Sequence, residues 1–493
     1  MTLTTLNDTV IEAERYKRQK MLWGEDGQQR LANARVAVVG LGPQGIYTAL
    51  NLAALGVGTI VLIGANQSSP DELFLDQALA SGLQSQQYHS LLQRINQQIK
   101  IVGYPGNLEN KIDCELLRTA SVIVEATNSP RSKENVSMYG WKNNIPVLST
   151  SSCWGYSKLM YCDPSKKDLA YLMTMFEGKE QDELTSLVMC GVITEEVRKI
   201  VFGEQKDFLR EPVRYRLGDK DRFGFPAPKE IIPLPNKEFY QEKKVAFLGA
   251  GAIGCWGAIA AAKMGFRTVD VYDYDTFESH NINRQILGYD GIGKLKALHI
   301  AEKIGLMSRG QTQSTGFNIL IEPGFNTPQD YDLVFDFVDN PYTRAVNTAY
   351  AIEHRIPMIS AGALPYSARA IVQVDGKTQC QDCIYDIYKR GREDEIIKRA
   401  SCAANPDPSV VMSNAIAAGL ALLETYPIFE PERFGIPFNG EITYRANGSS
   451  RFGTIPLRDP CQCYHKSLPS LAISDADVAS FVEQHPERLT EHR

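Results

Sequence analysis

An internal repeat constrains this chain more tightly than any other feature. The segment ARVAVVGLGPQGIYTALNLAALGVGTIVLIGAN (34–66) aligns with KKVAFLGAGAIGCWGAIAAAKMGFRTVDVYDYD (243–275) at a constant offset of 209, without a gap. IPVLSTSS (145–152) aligns with IPMISAGA (356–363) at an offset of 211. Tyr-Arg-x5-Arg-Phe-Gly then recurs from Tyr215 to Gly224 and from Tyr444 to Gly453. Three anchors in one order imply two copies of a single architecture, each long enough for its own core.

Each copy alternates short Val/Ile-rich strands with helical stretches. VAVVG, TIVLIG, IKIVGY, SVIVEAT and IPVLSTS mark the first; VAFLG, TVDVYD, LVFDFV, PMISAG and AIVQVDG mark the second. Such alternation predicts an α/β fold: two Rossmann-like units with mostly parallel sheets, helices on both faces, and a pseudo-dimeric arrangement. The expected domains are 1–235 and 240–465, joined by the Pro/Lys-rich FPAPKEIIPLPNKE (225–238) and followed by a polar tail, 466–493. Ligands in sheets of this kind sit at the carboxyl ends of the strands.

Composition removes several classes of partner. A net charge of −6 with no basic block gives no electrostatic footing for nucleic acid. No run of 18 apolar residues is present and MTLTTLNDTVIEAERYKRQ lacks a signal-peptide core, so no membrane is expected. The ten cysteines are too sparse for a disulfide scaffold, and four fall in two close pairs. That pattern points to a metal in a reducing compartment and a cytoplasmic location.

Position-by-position comparison assigns the chemistry to the second copy. Asp273 corresponds to Gly64, Asp275 to Asn66, Arg284 to Leu75, Lys296 to Gln87 and Asp339 to Asn128. The first copy keeps its glycines but has lost these charges, so it reads as folded and inactive. In the second, Gly249-x-Gly251-x-x-Gly254 follows a buried strand, where glycines allow close backbone approach to an anion at a helix amino terminus. Asp273, 24 residues past Gly249, stands where a carboxylate takes ribose hydroxyls. The glycines alone fit an NAD-dependent oxidoreductase equally well. Arg284 and Lys296 change the balance, because they match the charge that develops as pyrophosphate departs, and Asp339 can hold Mg²⁺.

SHNINRQILGYDGIGKLKA, with FVDNPYTR downstream, resembles the signature of the ThiF/MoeB/ubiquitin-activating enzyme superfamily, and the resemblance covers roughly 15–465. It implies ATP- and Mg²⁺-dependent adenylation of the C-terminal carboxylate of a ubiquitin-like or sulfur-carrier protein. By position it implies that Asp273 binds ribose and that Asn281, Arg284, Gln285 and Lys296 line the phosphate path. Asp275 lies beside them, and Asp339 takes the metal. Arg15-Tyr16-Lys17-Arg18-Gln19 with Leu22-Trp23-Gly24 is similar to the segment that opens these domains, whose arginine crosses a dimer interface to the neighbouring site. Arg18 is therefore expected to act in cis as an arginine finger across the pseudo-dimer.

Cys380-x-x-Cys383 and Cys461-x-Cys463 satisfy a tetrahedral, structural Zn²⁺. The second pair departs from the family's CxxC, which leaves His465 as an alternative fourth ligand. Arg399-Ala-Ser401-Cys402-Ala403 is similar to the segment that holds the acceptor cysteine of MoeB-like activators, implying a thioester on Cys402. The acid that often follows in the family is Ala404 here, and Cys190 is the next candidate. Cys114, Cys153, Cys162 and Cys255 read as core.

The expected partners are a small carrier protein and a conjugating enzyme, in a pseudo-dimeric chain able to form higher oligomers. Fewer than 30 residues follow His465, so no C-terminal ubiquitin-like recruitment domain is expected. The alternative is a peptide-tailoring adenylating enzyme acting on a ribosomal precursor peptide, which needs no acceptor cysteine.

Overall fold

The computed structural model describes residues 14–64, 84–106, 108, 115–165, 181–209, 212–218, 234–401, 407–447, 452–457 and 459–485. Asn66, Leu75, Cys114 and Cys402 lie outside this set, as does most of the 225–238 stretch.

The first sheet contains β1 (Arg35–Val39), β2 (Thr59–Gly64), β3 (Lys100–Pro105), β4 (Val122–Glu125), β5 (Val147–Cys153), β6 (Tyr156–Cys162) and β7 (Val213–Arg216). The second contains β8 (Lys244–Leu248), β9 (Thr268–Tyr272), β10 (Gly316–Phe317), β11 (Leu333–Asp336), β12 (Met358–Leu364), β13 (Ser367–Gln373), β14 (Gly440–Arg445) and β15 (Phe452–Pro456). Their orders are 3-2-1-4-5-6-7 and 10-9-8-11-12-13-14-15, so the second repeats the first and adds one edge strand. In both, the five leading strands are parallel and the remainder antiparallel. The register repeats too: Arg35 pairs with Thr59 as Lys244 pairs with Thr268, both at the offset of 209. Central strands such as VAFL are apolar on both faces because helices cover both faces of a parallel sheet.

The two units meet along a pair of crossed helices, Glu183–Phe202 and Val411–Leu423. Glycine makes the crossing close. A Cβ on Gly191 would lie 2.5 Å from Ile416 Cγ1 and from Met412 O, and a Cβ on Gly419 would lie 2.8 Å from Val188. Gly191 to Gly419 and Val188 to Ile416 are both steps of 228, so the residues that the two glycines receive are counterparts of each other, as across a two-fold axis. Tyr47 meets Trp256, its own repeat partner, edge to face at 6.0 Å. The flanks differ: Trp154 packs on Tyr426 at 4.8 Å, whereas Tyr366 faces the Arg198 guanidinium at 5.6 Å.

Among the described residues, one helical stretch, Val411–Phe429, has the length and apolarity of a membrane span, and 94% of it is buried inside the fold. Part of the polar stretch after 465 is a capped helix, Asp475–Gln484. Arg392 bonds Ser470 O at 2.8 Å and Asp477 at 3.3 Å, tying this segment to the helix Ile387–Ser401.

Candidate functional site

The strand order turns back at β8, which has β9 on one side and β11 on the other. In such a sheet the crevice for a ligand opens at the carboxyl end of that strand. β8 runs there into the glycine loop. Gly249 has φ +108°, and a Cβ would stand 2.9 Å from the Phe337 carbonyl carbon at the end of β11, so only glycine fits. A Cβ on Gly254 would meet Gly249 O at 2.7 Å. Gly251 differs: it caps the helix Ala252–Met264, and no atom lies within 4 Å of where its Cβ would be. The loop is tight behind and open in front.

The charged groups surround this opening. Asp273 accepts from Ala250 N at 2.7 Å and from Asp275 N at 2.8 Å, which fixes its carboxylate against the loop. Burial raises its pKa, with Lys296 opposing. Lys296 begins the helix Lys296–Met307, is 7% exposed, and pairs with Asp275 at 2.9 Å. Arg284 donates Nη1 to His280 O at 2.8 Å and to Asn283 Oδ1 at 2.9 Å. Burial and the nearby Arg18 charge bring its pKa down to about 10. Gln285 is buried, and its Oε1 has no hydrogen-bond partner among the described residues. Asn281 is engaged in the backbone: it accepts from Glu278 N at 3.1 Å and closes the capping box of the turn Ser279–Asn281.

Asp339 is exposed just before the helix Pro341–Glu353, close enough to Arg284 to favour its charged form. Beneath it lies a buried pair the motif comparison passed over. Asp336 receives Arg344 Nη1 at 3.0 Å, Ser360 Oγ at 2.7 Å, Asn347 at 2.9 Å and Gln381 at 3.0 Å, while Arg344 also holds Val338 O and Ala361 O at 2.7 Å. The first unit has Glu125 with Lys133 at the corresponding positions, both offset by 211. An acid–base pair kept in both copies was the available signal, and its place under both loops marks it as support for the backbone.

The first unit reaches into this site. Arg18 donates to Asp407 O at 3.0 Å, a contact spanning 389 residues, and its charge also lowers the His280 pKa, after burial. Gln19, beside it, accepts from Asn283 Nδ2 at 3.1 Å. The first unit's own glycine loop is filled. Gln181 Oε1 accepts from Gln44 N at 3.2 Å and lies 2.7 Å from where a Cβ on Gly42 would be. Its Nε2 donates to Ala126 O at 2.6 Å, across the end of β4. The carboxamide thus bridges both walls of the crevice that stands open in the second unit.

Cys380, Cys383, Cys461 and Cys463 converge, their sulfur atoms all within 4.8 Å of one another. Burial and the Cys463 thiol push Cys383 up, and the bond to Cys461 together with burial does the same for Cys380. Thiols this close do not ionise together without a cation, and the donor set fits a closed tetrahedral Zn²⁺ site. His465 is exposed and outside the cluster, so Cys463 completes it. Cys190 is a correction to the expectation from sequence. It is fully buried in a helix on the seam, accepts from Asn51 at 3.4 Å, and burial drives its pKa far up, which suits packing and not nucleophilic attack. Cys162 and Cys255 are buried as expected; Cys153 is partly exposed.

Sequence comparison places these features in a family. Residues 16–201 and 229–463 match the ThiF family. Over 140 residues the chain is 31% identical to the adenylyltransferase and sulfurtransferase uba4 of Emericella nidulans, covering 27% of this chain and 28% of that one. Over 188 residues it is 31% identical to the NEDD8-activating enzyme E1 catalytic subunit of Caenorhabditis elegans, covering 35% and 43%. The chain spans between 22% and 49% of the length of the curated relatives it matches. A crystal structure of E. coli MccB with ATP aligns at 20% identity and a TM-score of 0.39, over 46% of this chain and 66% of that one. With both halves matched by the same family, this chain belongs to the ThiF family.

Proposed function

We propose that the chain adenylates the C-terminal carboxylate of a small ubiquitin-like or sulfur-carrier protein, with ATP bound in the second unit. The observation that carries this reading is the gathering of Arg284, Lys296 and the first unit's Arg18 around the glycine loop left open at Gly251. Cations in that position suit a substrate with several phosphates; a hydride-transfer site has no use for three of them.

The open loop offers helix N–H groups to phosphate oxygens, and Asp273 takes the ribose hydroxyls. Asp339 is the residue to hold Mg²⁺, which when bound neutralises phosphate charge. One oxygen of the carrier's carboxylate attacks the α-phosphorus, the bond to the bridging oxygen breaks, and pyrophosphate leaves with the electron pair. No proton moves. The work is electrostatic, and Arg284, Lys296 and Arg18 stabilise charge as it accumulates on the departing group. The four cysteines hold Zn²⁺ as a structural tie. A second step belongs to Cys402: its thiolate attacks the acyl carbon, expels AMP and leaves a thioester.

The test is carrier-dependent exchange of labelled pyrophosphate into ATP. Exchange is expected with a carrier ending in a free carboxylate and should fall by about 100-fold or more in Arg18→Ala and Lys296→Ala. Tight NAD binding without exchange would overturn the reading. A DTT-sensitive conjugate lost in Cys402→Ala is the expected sign of the second step. Exchange driven by a short peptide, with product formation intact in Cys402→Ala, would shift the substrate to a precursor peptide.

A further inference from the structure

We propose that Gln19 is a positioning residue that orients Arg284 through Asn283, so that the first unit sets the geometry of the second unit's phosphate site from behind. The inference deepens the adenylation reading and rests on it for its kinetic readout.

Three fully or almost fully buried side chains form a line with a fixed direction. Gln19 is 0% exposed, and its Nε2 faces two acceptors, Gln28 Oε1 at 2.6 Å and Leu55 O at 2.9 Å. Both are oxygens, so the carboxamide has one orientation: nitrogen toward the first unit, oxygen toward the second. Gln19 Oε1 then accepts from Asn283 Nδ2 at 3.1 Å, across the boundary between the units. With its nitrogen committed there and to Ser409 O at 3.4 Å, Asn283 must turn its oxygen the other way, where it receives Arg284 Nη1 at 2.9 Å. His280 O holds the same Nη1 at 2.8 Å. Reversing either amide would set oxygen against oxygen in a dry interior, a costly arrangement.

The result is a guanidinium clamped at one nitrogen. Nη2 and Nε of Arg284 have no protein partner among the described residues and are left for an anion. A planar donor fork is useful only when its plane is set in advance, because the side chain otherwise loses freedom during the reaction. Arg18 acts by touching the site and Gln19 by aiming another residue, although they are neighbours in sequence. Among the described residues the arrangement occurs once. At the repeat offset of 209, Arg18 and Gln19 correspond to Ala227 and Pro228, so the second unit has no matching arm to offer the first.

The experiment is a double-mutant cycle on carrier-dependent pyrophosphate exchange, with melting temperature recorded for every variant. Gln19→Met keeps length and burial and removes both ends of the amide. It is expected to lower kcat about tenfold with the ATP KM within twofold, and to add no further loss in an Arg284→Ala background. An equal loss in both backgrounds, or a fall in melting temperature with kcat unchanged, would overturn the proposal. Asn283 supplies a second comparison should Gln19→Met fail to fold. Asn283→Leu removes both ends of the link and should lower kcat about tenfold with the ATP KM within twofold, adding no further loss in an Arg284→Ala background; an unchanged kcat, or an equal loss in both backgrounds, counts against the relay. Absence of exchange in the wild-type chain would reject the adenylation reading itself, while exchange with additive variants would reject only the role of Gln19.

Discussion

Asp182 shows how one buried carboxyl carries a pH signature outside the candidate site. It caps the seam helix Glu183–Phe202, accepting from Thr185 N at 2.8 Å and Thr185 Oγ1 at 2.7 Å. Burial lifts its pKa to about 6 despite those bonds. A folded-state pKa above the unfolded value means the folded chain binds this proton more tightly. Stability from the protonated form is therefore complete below about pH 4 and lost as pH rises toward 6. Asp182→Asn, which can still cap the helix, should melt near the wild type at pH 4 and above it at pH 7. The shift of about two pKa units sets an upper scale of about 3 kcal/mol. A melting difference that does not change between these pH values would show that the carboxyl is solvated. Single residues also mark the limit of reading from sequence. Asp273, Arg284, Lys296 and Asp339 were legible because charge at fixed spacing after a glycine loop has few other uses. Gln19 and Gln181 were not, since an uncharged amide reveals its role only through a partner 264 residues away or a crevice on another strand. Asn281 stands between the two: the motif put it among the phosphate-lining residues, and its side-chain oxygen is taken by its own turn, so its amide nitrogen is the end that would face a phosphate.

At the scale of elements, the sheets followed from the sequence and the seam between the units did not. Val/Ile-rich runs separated by helical stretches specify parallel strands, and the repeat offset carried even the pairing register. Gly191 and Gly419, by contrast, sit within strongly helical stretches, where a glycine reads as a mild weakness. Their use appears only when two helices cross. Gly191→Ala tests the crossing: helix propensity alone would make it stabilising, but its methyl would enter space already taken by Met412 O and Ile416. The expected outcome is a loss of about 1–3 kcal/mol in thermal or denaturant unfolding, and a gain would show that the helices separate easily. The helix Asp475–Gln484 was likewise missed, because a short polar segment has little periodicity and its partners, Arg392 and Arg399, belong to a distant helix.

Across the whole molecule, the two copies have taken opposite parts. One keeps an open glycine loop with its charges; the other has Gln181 across the crevice and gives its N-terminal arm away. Equilibrium binding of a non-hydrolysable ATP analogue should accordingly saturate at one per chain, and Asp273→Ala should weaken that binding. Two equivalent sites would mean that Gln181 yields to ligand.

The unequal flanks of the seam have a consequence for how such a chain can change. When two identical subunits meet on a two-fold axis, every substitution occurs on both sides at once, so a surface must fit a copy of itself. Joining the copies in one polypeptide removes that requirement. Trp154 rests on Tyr426 while Tyr366 faces Arg198, a cation on one side and a ring on the other at matching places. An identical pair could not adopt both at once. Each half is free to fit its partner instead of its own image, which allows one half to drift from chemistry to support without loosening the join.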